Sequence, residues 1–442
     1  MSFSARDITG DRDILPCSVV LNIYRELVDR GSDLAGMMQK LQQISFAPED
    51  PASSLDRGEW LLGKLLGKGE VANPDLFLSE IFPHLVRGKL ALAQRMGRTA
   101  TPWDGLLTSY GPELDPTGPE GPVMSATRFE TLGTCPLRYF FRYVLEIDPP
   151  EEDPDVSVWL SNLDYGSLLH SVFYQFMDSL VSEGLRPDFI RDEGRLLNIL
   201  EEEIAAKKKV HPPAGESSLE KDRRRLREAA RIFLREEEIF CASHEPLFME
   251  ASIGIPGTGH TTPLDSDEPV LVDLPGGRAF RARGRLDRID RSDVPDSDQF
   301  VITDYKSGSD TKYRKTDLFW QGRVIQHALY LALAGHRLIE AVSPFARVSS
   351  FRFLFPSAKA RSKSMILAPE DLSHSGEILS HMCEIASTGT FLSTSYKSDC
   401  EFCDYAGSLC EADPEALIAA ARSKLENSEN TRLDPIRAMR EK

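Results

Sequence analysis

Three side chains near the middle of the chain have the types and spacing of a metal-assisted hydrolytic site: Asp287, Asp304 and Lys306. They fall in two runs, Arg278 to Asp287 and Phe300 to Lys306, that read as adjacent strands because polar and apolar residues alternate along each. In the first run Arg281, Arg283, Arg285 and Asp287 share one face, and Phe280, Ala282, Gly284 and Leu286 the other. In the second, Phe300, Ile302, Asp304 and Lys306 lie opposite Val301, Thr303 and Tyr305. Two carboxylates converging from neighbouring strands offer hard oxygen ligands to Mg²⁺ or Mn²⁺. A lysine two residues beyond the second acid can orient or deprotonate a water, or neutralise charge in the transition state. That set suits phosphodiester hydrolysis. The same spacing also fits a surface hairpin with an ordinary salt bridge, so both readings stand on spacing alone.

Four ordered motifs carry a resemblance. Gly284-Arg-Leu-Asp287-Arg-Ile-Asp290 followed by Ile302-Thr-Asp304-Tyr-Lys306-Ser-Gly308 resembles the signature of the PD-(D/E)XK nuclease superfamily, in particular its RecB/AddB-type branch. Gly166-Ser-Leu-Leu-His170 lies upstream and Gln326-His-Ala-Leu-Tyr330 downstream, as in that branch. The resemblance implies an α/β restriction-endonuclease-like core, a central mixed sheet flanked by helices. It implies that Asp287 and Asp304 hold the metal with help from the Tyr305 carbonyl and His170. Lys306 then positions or activates water, and Gln326 and Tyr330 fix Lys306 or the phosphate backbone. Without the resemblance, His170 beside an apolar stripe reads as a satisfied core or surface histidine, and Tyr330 as a buried tyrosine with its hydroxyl paired.

The chain has seven cysteines, too few and too uneven for a disulfide scaffold. Cys400-Glu-Phe-Cys403 followed by Cys410 gathers three thiols, and Cys135, in Thr134-Cys-Pro-Leu-Arg-Tyr-Phe-Phe, is the candidate fourth ligand. That segment resembles the helix before the core in AddB-type relatives, where one cysteine before the core and three after it hold a [4Fe–4S] cluster that staples the two ends of the domain. A Cys₄ zinc site would use the same ligands, and unmetallated thiols are a third reading. Cys17, Cys241 and Cys383 read as ordinary buried, reduced thiols.

The elements that must position these residues follow from periodicity. Helices are expected over Tyr165 to Val181, with Leu169, Val172, Phe173, Phe176 and Leu180 in one stripe, and over Phe189 to Lys209 and Ser218 to Cys241. The last two are charge-rich and read as solvated helices with ion pairs. Phe248 to Ile255 reads as the first core strand and carries Glu250, which belongs to no motif. Thr316 to Ile339 reads as one long helix with Gln326 and Tyr330 on one face, Ala346 to Phe355 and Arg361 to Ile366 as strands, and Leu372 to Ile385 as a helix. Thr127-Arg-Phe-Glu130 reads as a capping box.

Residues 1–120 are expected to form a mostly helical accessory region, possessing short helices at Val19 to Leu27 and Trp60 to Leu66 and a longer one at Leu76 to Met96; it resembles a remnant of a helicase-like body. Residues 121–426 carry the nuclease domain and 427–442 a loose tail. Gly63-Lys-Leu-Leu-Gly67-Lys is too short for a phosphate-binding loop, so no ATPase motor is readable. A net charge of −17 argues against indiscriminate nucleic-acid coating. Local basic residues, Arg278, Arg281, Arg283, Arg285 and Arg288 with Lys312, Arg314 and Lys315, suit a DNA path. With no apolar run long enough for a membrane span or leader, a cytoplasmic location is expected. The resemblance implies a Mg²⁺-dependent deoxyribonuclease, an exonuclease on single-stranded or duplex ends in double-strand-break repair, with a helicase partner. Two alternatives are a catalytically silent scaffold subunit and a CRISPR-adaptation nuclease, the latter usually much shorter.

Overall fold

The computed structural model describes residues 15–40, 50–66, 73–149, 158–257, 261–295, 298–314, 316–361, 363–401, 403–406 and 414–441. The chain divides into two compact units, Met1–Gln94 and Arg95–Lys442. The first contains α1 (Ser18–Leu27), α2 (Leu34–Lys40), α3 (Arg57–Leu66), α4 (Pro74–Ile81) and most of α5 (Pro83–Met96). The single helix expected over Leu76 to Met96 is two, because Pro83 has no N–H to continue α4 and instead opens α5.

The second unit runs through α6 (Ala126–Thr134), α7 (Pro136–Tyr139), α8 (Asn162–Ser182), α9 (Phe189–Val210) and α10 (Glu216–Phe240) into the strands. These are β1 (His244–Ile253), β2 (Val270–Asp273), β3 (Ala279–Ala282), β4 (Gly284–Ser292) and β5 (Gln299–Tyr305). Then come α11 (Gln326–Ala341), β6 (Arg347–Leu354), β7 (Ser364–Leu367), α12 (Ser375–Ser387), α13 (Pro414–Glu426) and α14 (Asp434–Glu441). Five strands form one sheet in the order β1-β4-β5-β6-β7, antiparallel except for the parallel pair β5/β6, whose crossover is α11. Strands β2 and β3 make a separate antiparallel ribbon.

Each sheet face carries its own apolar cluster. Phe300, Ile302, Phe351 and Phe353 face α6, α11, α12 and α14, while Val301, Tyr305 and Leu354 face α8, α9 and α10. The alternation read from β5 therefore holds. Interhelical pairs of Arg223 and Arg227 with Glu201 and of Arg231 with Glu193 join α9 to α10, as their charge pattern suggests. No helix among the described residues is long and apolar enough to cross a membrane.

Several expectations are corrected. Residues 316–325 are not helical: Trp320, Gln321 and Gly322 take positive φ values of 42°, 55° and 84°, which a helix cannot contain, and α11 begins at Gln326. The capping box at Thr127 is not made. Ser125 Oγ caps α6 by accepting from Arg128 N at 3.3 Å, leaving the Glu130 side chain to reach α11. The segment expected as a loose tail ends in α14, whose Ile436 and Met439 are buried in the main core. The structural division falls near residue 95 rather than 120, since Leu106 and Leu114 belong to that same core. Cys17 is exposed, while Cys241 and Cys383 are buried.

Candidate active site

Tyr305 sets the polarity of the strand end. Its ring enters the cluster under α8, α9 and α10, edge-on to Phe173 and Phe233 at centroid distances of 5.4 and 5.5 Å, so Asp304 and Lys306 project from the other face of β5. There Lys306 Nζ lies 2.5 Å from Asp304 Oδ2 and donates to Gln326 Oε1 at 2.5 Å. Gln326 Nε2 in turn donates to Asp304 Oδ1 at 2.7 Å. The three side chains form a closed ring of contacts in which each fixes the other two. Gln326 sits in the first turn of α11, where Glu130 Oε1 accepts from the Ile325 and Gln326 amides at 3.0 and 3.2 Å.

A second constellation faces an open cleft of about 720 Å³, lined in part by Gly166, His170, Tyr174, Glu250, Arg285 and Asp287. Ligand atoms of His170, Glu250 and Asp287 lie within 4.8 Å of one another. His170 Nε2 is 3.0 Å from the Tyr305 carbonyl and Nδ1 is 3.5 Å from Asp287 Oδ1; a carbonyl can only accept, so Nε2 carries a proton. Asp287 Oδ2 accepts from Tyr305 N at 2.7 Å, locking the acid to the strand end. Asp304 is not in this group of three; both its oxygens are turned to Lys306 and Gln326.

The regular alternation of β4 breaks at Asp287. Leu286 and Ile289 both face the cluster shared with α6 and α11, and on β1 the residue between the paired Met249 and Ala251 is Glu250, with φ of 50°. That irregularity brings a carboxylate from each strand toward the cleft. Glu250 carried no motif in the sequence; strand register alone reveals it.

Electrostatics match the geometry. Burial opposes charge on His170, but Asp287 beside it pushes the imidazole up to about 9. Burial and then Asp287 push Glu250 up to about 7. Asp304 is pushed up to about 6 by burial, with Lys306 opposing and Asp287 adding to the rise. Asp287 goes the other way: against burial, His170 beside it, Lys306 and the Tyr305 amide hold its carboxyl below the usual range. Two carboxylates raised by burial around a third that stays ionised suit a site that favours a cation. The donor set, carboxylates and an imidazole, fits a hard divalent cation.

Two motif glycines have steric reasons. A Cβ at Gly284 would meet Tyr330 Cε1 at 2.9 Å and Leu333 Cδ1 at 3.0 Å, so α11 lies on β4 through it. A Cβ at Gly166 would meet Ser307 Oγ at 3.0 Å, where α8 crosses the end of β5. Tyr330 is buried against Gly284 beneath the cleft.

Arg288 does not join the basic path expected for it. It is fully buried, with Nη1 2.6 Å from Glu237 and Nε 2.7 Å from Asp290, and it donates to the Tyr305 hydroxyl at 2.8 Å. Arg278 and Arg281 are tied to Ser380 Oγ and the Gly121 carbonyl. Arg285 lines the cleft with its side chain 51% exposed. Lys315 lies outside the described residues.

Of the four expected cluster ligands, Cys135, Cys400 and Cys403 line one small cavity with Asp399, Arg138 and Tyr405. Cys410 lies outside the described residues. Three thiols lining one small cavity, from the C-cap of α6 and from a turn far along the chain, fit a group held by thiolates.

A mixed sheet with helices on both faces, an acid and a lysine two residues apart at the end of an inner strand, and further acids facing the same end define a restriction-endonuclease-like nuclease class. The model of one family, the PD-(D/E)XK nuclease superfamily, matches residues 123–411, and the chain belongs to that superfamily. Among curated proteins it is 28% identical over 216 residues to the B subunit of the ATP-dependent helicase/deoxyribonuclease of Symbiobacterium thermophilum, covering 47% of this chain and 17% of that protein. Its counterpart of the same name from Clostridium acetobutylicum is 28% identical over 222 residues, with the same coverage of 47% and 17%. The counterpart from Acetivibrio thermocellus is 25% identical over 224 residues, covering 48% of this chain and 18% of its own length. The chain thus spans less than a fifth of the length of these relatives.

Proposed function

We propose that the chain is a metal-dependent deoxyribonuclease that trims DNA ends as an exonuclease during double-strand-break processing in the cytoplasm. The observation that carries the reading is the ring of Asp304, Lys306 and Gln326 set beside His170, Glu250 and Asp287. Asp287, Asp304, His170, Glu250 and the Tyr305 carbonyl would hold Mg²⁺ or Mn²⁺. A cation there supplies Lewis-acid stabilisation of charge on the scissile phosphate. Lys306 has three N–H donors; one goes to Gln326 while the ammonium pairs in charge with Asp304, which leaves a donor to orient the attacking water or a phosphate oxygen. Gln326 keeps Lys306 from rotating away, and Tyr330 supports α11 beneath it. Arg285 at the cleft contacts the DNA backbone. The thiol-lined cavity would hold a [4Fe–4S] cluster through Cys135, Cys400, Cys403 and Cys410. That the relatives are by name parts of a helicase/deoxyribonuclease supports a helicase partner that supplies single-stranded ends.

The test is cleavage of end-labelled linear single- and double-stranded DNA by anaerobically purified protein, with Mg²⁺ or with EDTA. Wild type cuts with Mg²⁺ alone, and Lys306→Ala loses at least about 10³-fold in rate while keeping its thermal unfolding midpoint. Equal cutting by Lys306→Ala would refute the assignment. DNA binding without cutting by wild type would favour a scaffold role.

A further inference from the structure

The segment between Phe319 and Gln326 touches neither DNA nor metal in the proposed mechanism, yet it is held from four directions. Glu130 of α6 caps its end through the amides of Ile325 and Gln326, at 3.0 and 3.2 Å. Arg323 forms a two-pronged pair with Asp399, Nε to Oδ1 at 2.9 Å and Nη2 to Oδ2 at 2.7 Å, with both side chains 4% exposed. Arg440 of α14 donates to the Gln321 carbonyl at 2.7 Å and to the Thr134 carbonyl at 3.2 Å. Gly133 of α6 abuts the segment's backbone so closely that a Cβ there would lie 1.8 Å from the Gly322 carbonyl oxygen.

Three of these four supports lead to the cysteine cavity. Asp399 precedes Cys400 and lines the cavity. Gly133 and Thr134 precede Cys135, which ends α6. The segment has turn bonds of its own, Arg323 N to the Trp320 carbonyl at 3.2 Å and Val324 N to the Phe319 carbonyl at 3.0 Å, and Asp317 accepts from the Phe319 and Gln321 amides at 2.9 and 2.5 Å; the remote contacts anchor this turn, with its left-handed residues at 320, 321 and 322, to α6, Asp399 and α14. Its far end is Gln326, which holds Lys306 and Asp304.

We infer that Glu130 is a positioning residue for the nuclease centre, and that the Arg323–Asp399 pair couples the filling of the cysteine cavity to the placement of Gln326. A group bound by the thiols fixes Cys135 and Cys400, hence α6 and Asp399, hence the start of α11. Emptying the cavity releases both anchors, and Gln326 no longer holds Lys306 against Asp304. The kinetic consequence rests on the proposed nuclease activity, whereas the backbone consequence does not.

For the kinetic test, Glu130→Ala, Glu130→Gln, Gln326→Ala and the Glu130→Ala/Gln326→Ala pair are compared in Mg²⁺-dependent cleavage of end-labelled DNA by the full chain. Glu130→Ala lowers kcat about 10- to 100-fold with KM for DNA unchanged. Glu130→Gln keeps a carbonyl oxygen that accepts both amides and stays within about threefold of wild type. The double variant is no slower than Gln326→Ala, because both changes cut the same chain of contacts. Multiplying losses in the double variant, or loss in Glu130→Gln equal to that in Glu130→Ala, would overturn the positioning role.

For the second test, amide hydrogen exchange is read over 320–330 and over β4 in chain loaded with Fe²⁺ and sulfide, or with Zn²⁺, and in chain stripped by a chelator under reducing conditions. Stripping speeds exchange over 320–330 at least about tenfold more than over β4, and Glu130→Ala speeds the Ile325 and Gln326 amides with the cavity still filled. Equal exchange in the two regions rejects the coupling. A wild-type chain that does not cut DNA removes the nuclease reading and leaves the coupling to stand or fall on exchange.

Discussion

Glu250 and Asp287 sit on neighbouring strands, and their meeting depends on a backbone irregularity that no local pattern encodes. Asp287, Asp304, Lys306, His170 and Gln326 stand in short motifs whose spacing is legible, because each motif lies within one strand end or one helical turn. Glu250 becomes visible through the pairing of β1 with β4. Its side chain is pushed up to about 7 by burial and then by Asp287, so a cation between them would relieve both. Glu250→Gln is therefore expected to weaken Mn²⁺ binding about 10- to 100-fold in calorimetric titration with the far-ultraviolet spectrum unchanged. Unchanged affinity would remove Glu250 from the ligand set. The motif glycine Gly284 has a different burden. Gly284→Ala forces a methyl into Tyr330 and Leu333, which is expected to cost about 1–3 kcal/mol in denaturant unfolding. A neutral result would mean that α11 can withdraw from β4 without loss.

Between α10 and the sheet, Glu237 pairs with Arg288 at 2.6 Å and Arg352 at 2.8 Å, and all three side chains are essentially buried. Arg352 also lies 3.9 Å over the Phe240 ring. The arginine in the middle of the first strand motif thus fastens the sheet to α10 and to Tyr305; it was expected on a DNA path as one of a cluster of basic residues, and clustering along the chain does not show that its partners Glu237 and Asp290 are buried with it. Against the desolvation imposed by burial, the two guanidiniums hold Glu237 below the usual carboxylate range. A depressed folded value means that this stabilisation is complete above the unfolded glutamate pKa of ~4.3 and is lost as pH falls through the folded value. Glu237→Gln leaves two buried cations short of a charge and is expected to cost about 3–5 kcal/mol at neutral pH. Its acid-unfolding limb should also be shallower than that of wild type, as followed by circular dichroism from pH 7 to pH 2. A variant with wild-type stability at neutral pH would show that the network is replaceable. Helix spans such as α8, α9 and α10 were legible to within a few residues because a single stripe defines each. The start of α11 was not, since the turn that Asp317 makes with the Phe319 and Gln321 amides is anchored by Glu130, Asp399 and Arg440, all remote in sequence.

At the scale of the whole molecule, composition suggests a boundary near residue 120, where glycine, proline and acids cluster, but packing puts it near 95. The stretch between is irregular in its own sequence and acquires its place from distant partners. Leu106 bridges to Thr390, and Leu107 N donates to the Gly389 carbonyl at 2.8 Å. Asp104 lies 3.3 Å from the buried Lys424 ammonium, which also donates to the Gly97 carbonyl at 2.7 Å and to that of Arg95. In the first unit, by contrast, Met37 and Leu61 are the buried apolar side chains among the described residues. Two shortened chains separate the boundaries. A chain beginning at Arg95 keeps every partner of Lys424 and both core leucines, and is expected to unfold within a few degrees of the full chain. A chain beginning at residue 121 loses Leu106 and Leu114 from the core and leaves Lys424 buried without its carboxylate or carbonyls. Each lost leucine removes about 2–5 kcal/mol and the stranded ammonium several more, which together exceed a large part of a typical domain's stability. Scanning calorimetry should therefore show a cooperative transition for the first chain and none, or one lowered by tens of degrees, for the second. If the chain from 121 melts like the full chain, the stretch from 95 to 120 is a linker after all and the composition was the better guide.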